Sequence, residues 1–461
     1  MGLTVYPLVN FNASTGSDTQ ASGAGPATAV YGTGCAVTSG SGSVTISDAV
    51  DLSGVAQDGS AVLWVLTASG RQFTRISTVA GSSGAWTLTV EDTAWTSGSS
   101  KTWAIGGKRA TWDNANSRTL FGSTGAKAGW TIQTETDQTL NTTTLSITAA
   151  GSVTVGAITI QGSSDTTPST IKQTANVAAF TTNTVGLIVY KNLKIVNSNV
   201  SKTSANGLST ITTNSQQYVF ISCIFGDSVY TLNDCVYLGN ATSARFIDCV
   251  FFNGSVGLYC YSINNVEIHN SVISNNSSYG IYDNGTGRLI IRNCLIYSNG
   301  YGIYSNYATT SDHYNIVGCT IHGNTSGGIY CNQASNYYAA VIHSNNITGN
   351  GGYGIVGLSG TTDFLKAIID YNNFGYGVGI ANSSGAMQYI TAGGHDLAVD
   401  PMYGNAAGGD FSVHNPALSA AGFPGSGRTV GAGQSATYDY VDIGAQRQPV
   451  IVYPAAGQLF H

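Results

Sequence analysis

The sequence predicts an all-β chain: a solenoid of stacked parallel strands at about 22–27 residues per coil, preceded by a small β module. Three observations carry this. Seven segments, FISCIF (220–225), FIDCVF (246–251), IHNSVI (268–273), IRNCLI (291–296), IVGCTI (316–321), IHSNNI (342–347) and IDYNNF (369–374), align without gaps. Each has a large apolar residue first, a small residue fourth and Ile or Phe sixth. Most are followed by a second apolar block: CVY (235–237), GLY (257–259), GIY (280–282), GIY (302–304), GIY (328–330), GIV (354–356). Finally, Val and Ile dominate these blocks and no helical periodicity runs through them, which favours strands over helical repeats. So short a period cannot bury its own core and suits one coil of a stack.

Along the chain, the first 120 residues read as the β module. The segments SVTIS (43–47), AVLWVLT (61–67), WTLTV (86–90) and TWAIGG (102–107) alternate with period two, and Gly/Ser turns such as 80–84 separate them. All six tryptophans lie within the first 130 residues, and seven of the eight cysteines lie after residue 222, which marks a boundary near 115–130. The solenoid is assigned to 121–446. It begins with GWTIQTE, LSITAAG, GAITIQG and GLIVYKNLKIVN (186–197), where Tyr190, Leu193 and Ile195 already fill the three apolar slots. VDPMY (399–403), GDFSV (409–413), NPAL (415–418) and VDIGAQ (441–446) follow the repeats, and the tail 447–461 is too short for a domain and reads as a docking strand.

Strand side chains alternate faces, so Phe220, Phe246, Ile268, Ile291, Ile316, Ile342 and Ile369 are expected to point inward. A bend after the third position turns the fourth inward too: Cys223, Cys249, Ser271, Cys294, Cys319, Asn345 and Asn372. Coils stacked about 4.8 Å apart place like residues in ladders. Three residues beyond the blocks stand Asn276, Asn299, Asn324 and Asn350. Asn tolerates left-handed backbone, and these are expected to be the tight corners.

Charged residues make up 9% of the chain, against roughly 25% in an average soluble protein, and the net charge is −6. No lysine lies between Lys202 and Lys366, and Arg245, Arg288 and Arg292 are the arginines of that stretch. There is no basic footprint for nucleic acid. No run approaches the roughly 18 apolar residues of a membrane span, and MGLTVYPLVNFNAS lacks the pattern of a signal peptide. GGKRAT (106–111) is not a phosphate-binding loop, and no metal or cofactor motif occurs, so neither is expected.

The repeat resembles the right-handed parallel β-helix superfamily, which includes pectate-lyase-like enzymes and phage tailspikes. The resemblance covers about residues 125–446, and NASTGSD (12–18) is similar to the opening segment of such proteins. It implies a stack of coils with a glycan-binding or glycan-cleaving shaft.

Four sets of residues are candidates for function. The fourth-slot cysteines suit a reduced core or disulfides between stacked coils. Tyr237, Tyr259, Tyr282, Tyr304 and Tyr330 each follow an inward residue and form an outward column, which fits a sugar chain, a subunit interface or mere strand preference. Val219, Ile221, Ile247, Ile290, Val317, Val341 and Ile368 also flank an inward residue and form an apolar strip. Soluble monomers rarely expose such a strip, so a loop, the N-terminal module or another copy of the chain must cover it, and a homotrimer is the expectation. The catalytic candidates are Asp248, Glu267 and Asp283. A glycosidase needs two carboxylates at a set separation. Arg245 stands in the column of Glu267 as a simpler partner, however, and Asp283 reads as partly buried. His269, Arg292, His343 and Asp370 share the neighbouring column.

Together these observations predict a virion protein of a phage (tailspike, tail fibre or capsid-surface protein), made in the host cytoplasm. It is expected to be trimeric, to attach to other virion proteins through the N-terminal module and to bind bacterial surface polysaccharide. The alternative is an extracellular polysaccharide lyase or glycoside hydrolase.

Overall fold

The computed structural model describes residues 8–11, 30–58, 60–67, 70–91, 93, 95–105, 112, 121, 129–141, 144–147, 157–163, 167–182, 186–199, 206–210, 216–229, 231–241, 243–307, 313–331, 339–357, 368–375, 380–381 and 394–418. Segments 12–18, 106–111, 441–446 and 447–461 lie outside the described residues. The chain is nearly all-β, a parallel β-solenoid of about seven turns with a small antiparallel module on its N-terminal side. It divides into two compact units, one holding 1–194 with 215–218, the other 195–214 with 219–461.

In the first unit, six antiparallel strands close a barrel in the order Val30–Val37, Ser43–Ile46, Ala85–Val90, Gly70–Ser82, Val62–Thr67, Gly98–Ile105. The alternation in 43–47 and 86–90 does what period two predicts: Val44, Ile46, Trp86 and Leu88 fill the interior with Leu63, Val65 and Trp103. Two indole N–H groups find acceptors, Trp86 on the Val50 carbonyl (2.8 Å) and Trp103 on Asp48 Oδ2 (2.6 Å).

The barrel interrupts a coil that has already begun. Leu8–Phe11 pairs in parallel with Thr131–Thr134, which in turn pairs with Ile158–Gly162. The N-terminal β module is therefore an insertion between two strands of the parallel sheet. Trp112 belongs with the coils as well, buried edge-on to Phe121 (5.4 Å between centroids) and Phe180 (6.0 Å).

The second unit holds the clean repeats. Each coil contributes one strand to each of three parallel sheets. The first sheet runs Ser243–Ile247, Asn265–His269, Arg288–Arg292, His313–Val317, Ala339–His343, Ile368–Asp370. The second runs Leu232–Gly239, Gly254–Ile263, Tyr279–Thr286, Tyr301–Tyr307, Gly327–Cys331, Ile355–Gly357. The third includes Val250–Phe252, Val272–Ser274, Leu295–Tyr297, Thr320–His322 and Asn346–Thr348.

The bend between first and third sheets falls on the third residue of each block. Ser222, Asp248, Asn270, Asn293, Gly318, Ser344 and Tyr371 all have φ between 51° and 65°. That left-handed residue turns the fourth side chain into the core, and all seven fourth-slot residues are fully buried. Like side chains stack on one another there: Phe220 lies 4.6 Å from Phe246 and nearly parallel, and Phe225 lies 5.2 Å from Phe251.

The next corner differs from expectation. Its left-handed residues are Asn275, Ser298, Gly323 and Gly349, one position earlier than the asparagines assigned to it. Asn276, Asn299, Asn324 and Asn350 are instead buried. The Nδ2 of Asn276, Asn299 and Asn324 donates to the Oδ1 of the asparagine on the next coil (2.9, 3.0 and 2.9 Å), and that oxygen also accepts the backbone N–H of the asparagine on the coil before it. The amide carries two donors and an acceptor with two lone pairs, so one side chain satisfies the turn backbone and both neighbours. The glycine of each GIY block makes room for this ladder. A Cβ on Gly280 would lie 2.6 Å from the Gly302 carbonyl oxygen and 3.0 Å from Asn299 Nδ2.

The segments VDPMY and GDFSV supply an antiparallel hairpin of Tyr403–Asn405 with Asp410–Val413. The hairpin folds back over the outer side of the third sheet. Phe411 is buried there against Val250, Phe252, Val272, Leu295 and Tyr297. NPAL forms a short 3-10 turn, Pro416–Leu418.

Candidate functional site

Tyrosine dominates the outer side of the second sheet. Val236, Leu258, Ile281, Ile303 and Ile329 point inward and are buried, so the next residue of each strand points out. Those residues are Tyr237, Tyr259, Tyr282, Tyr304 and Tyr330, in register from coil to coil. Successive ring centroids lie 4.9, 4.8, 5.7 and 4.9 Å apart. The first two contacts are edge-to-face and the last two are stacked.

Sequence reasoning missed a second column beside it. Tyr279 and Tyr301 pack on the first, 4.9 Å from Tyr282 and 5.2 Å from Tyr304 respectively. The signal was there in the doubled Tyr-Gly-Ile-Tyr of 279–282 and 301–304. Tyr261 flanks the other edge at 42% exposure, and the five column tyrosines are half-buried. Burial, then neighbouring tyrosines, holds the phenols of Tyr237, Tyr282 and Tyr330 above the ordinary tyrosine range, so they remain neutral donors. Asn284 Nδ2 donates to the Tyr259 hydroxyl (3.4 Å).

The acidic residues of these strands are buried. Asp234 has 6% exposure, and burial pushes its carboxyl up to about 7. Asp283 is wholly buried. It accepts the Thr286 N–H (2.9 Å) and the Tyr314 hydroxyl, with Ser305 Oγ at 3.5 Å. Asp283 is thus an interior acceptor joining the second sheet to Tyr314 of the first.

The first sheet carries the other polar groups. Arg245 donates from Nε (2.8 Å) and Nη2 (2.7 Å) to Glu267 Oε2, and Asn265 Nδ2 donates to Oε1 (3.1 Å). His269 Nε2 lies 3.5 Å from the same carboxylate. Burial alone would raise Glu267, but Asn265, Arg245 and His269 outweigh it and hold the carboxyl below its usual range. Burial and nearby Arg292 depress both His269 and His343. Asp370 is paired with His395 Nδ1 at 2.9 Å. Asp248 stands exposed at its left-handed bend. Of the three catalytic candidates, then, Asp283 is interior, Glu267 is half-buried and paired with Arg245, and Asp248 is exposed.

The apolar strip lies on the same sheet. Val219, Ile221, Ile247, Val317 and Val341 are half-buried, Ile290 is buried at 4% and Ile368 is exposed at 54%. All eight thiols are free. Burial, then the neighbouring thiol, raises Cys249 beside Cys223 and Cys294 beside Cys319, which makes them packing groups rather than nucleophiles.

Residues 210–388 match the family model described as "right handed beta helix region". No curated protein matches the chain. Among solved structures, pectate lyase Pel9A is similar, with a TM-score of 0.51 and 12% sequence identity over 69% of this chain and 88% of that one. At that identity the likeness is one of fold, and fold alone does not assign an activity.

Proposed function

We propose that this chain is a polysaccharide-binding β-solenoid whose contact surface is the tyrosine face of the second sheet. The observation that carries the reading is the in-register row of half-buried phenols on five successive coils. Aromatic rings with hydroxyl edges offer apolar area and hydrogen bonds together, as a sugar chain requires. On sequence grounds we place it on a phage particle, with the N-terminal module as attachment and the first-sheet strip as a trimer contact. Ile368, exposed at 54%, supports the trimer contact, and light scattering on a sizing column would read three chains.

Enzymatic cleavage is the second reading, favoured by the fold's likeness to pectate lyase Pel9A. Incubation with a panel of bacterial and plant polysaccharides separates the two. Binding without new reducing ends or unsaturated products supports the first. Products that vanish on Asp248→Asn or Glu267→Gln would replace it with the second.

A further inference from the structure

Resting on that reading, we infer that the glycan is a neutral polymer and that it runs along the solenoid axis, about one sugar per coil. The register supplies the direction. The column repeats once per coil, with ring separations of 4.8 to 5.7 Å, and strands in a sheet lie about 4.8 Å apart. One sugar of an extended chain spans a similar length. A chain laid along the axis meets Tyr237, Tyr259, Tyr282, Tyr304 and Tyr330 in turn, whereas a chain laid across the coils meets one of them and leaves the column.

Charge supplies the chemical class. Strands Leu232–Gly239, Gly254–Ile263, Tyr279–Thr286, Tyr301–Tyr307 and Gly327–Cys331 contain no lysine or arginine. Their acidic residues are Asp234 and Asp283, both buried, Asp283 next to Tyr282 in its strand and Asp234 in the register column of Tyr279. Arg245, Arg288 and Arg292 all belong to first-sheet strands. A carboxylate or sulfate on the ligand would therefore lose water without gaining a cation, and would feel the buried aspartates. Hydroxyls suffer neither penalty. Tyr304 and Tyr330 stack within 5° of parallel, so each spends one ring face on the other. The phenol hydroxyls of the column suit a polyhydroxylated chain that is recognised by hydrogen bonds.

The test is affinity electrophoresis and calorimetry on the full chain. Neutral probes are dextran, mannan, xylan and mixed-linkage glucan. Acidic probes are polygalacturonate, alginate and hyaluronate. The expected result is retardation by at least one neutral polymer and by none of the acidic ones. Oligosaccharides of the retarding polymer should bind more tightly with each added sugar up to about five, the number of stacked tyrosines. Tyr282→Phe with Tyr304→Phe keeps the rings and should weaken binding about tenfold or more, while Arg292→Ala leaves it unchanged. Equal or stronger retardation by acidic polymers overturns the neutral class, and affinity that stops growing at a disaccharide overturns the axial path. Both of those outcomes leave the binding reading intact. Retardation by none of the polymers overturns the binding reading itself, and the inference falls with it.

Discussion

Two faces of the same coils carry outward aromatic side chains and meet different fates. On the third sheet, Phe252 and Tyr297 are covered by the chain's own hairpin, with Phe411 at 2% exposure. On the second sheet the tyrosines keep part of their surface in water, Tyr261 at 42%. The first is a core added from outside and the second is a surface. What separates them is the hairpin, a long-range partner that neither face encodes in its own strands.

Substitutions can break or sharpen that contrast. The largest effect is expected at the corner joining the two faces. Asn299→Leu removes the acceptor for the Asn276 N–H and Nδ2 and leaves buried groups unpaired. Urea melts should show a loss of about 3–5 kcal/mol. Next, Phe411→Ala empties the covered face. Stability should fall by about 2–4 kcal/mol, and a hydrophobic dye should bind the newly wetted strands. Tyr282→Ala, on the open face, should cost roughly 1 kcal/mol and bind no extra dye.

Asp234 gives a pH-dependent version of the comparison. Its folded carboxyl is raised from 3.8 to about 7, so the folded state holds the proton more tightly than the unfolded chain. The contribution is fully present below the unfolded value of 3.8 and is lost as pH rises through about 7. Asp234→Asn should therefore raise the melting temperature at pH 8, by up to about 2 kcal/mol in stability, and change little at pH 3.5. The smallest effect belongs to the first sheet. Arg245 is 53% exposed, and Arg245→Gln should cost less than about 1 kcal/mol in thermal melts.

Much of the coil was legible from periodicity. The first and fourth slots could be assigned because alternation and one bend per block leave no other register for Phe246 or Cys249. The corner asparagines misled because Asn serves two ends: it tolerates left-handed backbone, and it is also a buried amide able to bond two coils. Asn275 and Asn276 stand side by side and divide those tasks. VDPMY and GDFSV could be read as strands, but their antiparallel return depends on a hydrophobic face built more than a hundred residues earlier. Leu8–Phe11 was out of reach for the same reason, since its partner Thr131–Thr134 lies beyond the whole barrel.

At the site, the outward tyrosine column could be read directly and Tyr279 with Tyr301 from the same motif. The Arg245–Glu267 pair and the burial of Asp283 could be read from the columns too, whereas the Tyr314 hydroxyl that reaches Asp283 from another sheet could not.

Hydroxyl-radical footprinting with and without a retarding polysaccharide tests the central claim most directly. The account predicts protection of Tyr259, Tyr282 and Tyr304, with Tyr297 and Phe411 unreactive in both samples because the hairpin already covers them. Protection confined to His269 and His343 of the first sheet, with the tyrosines reacting as before, would contradict it.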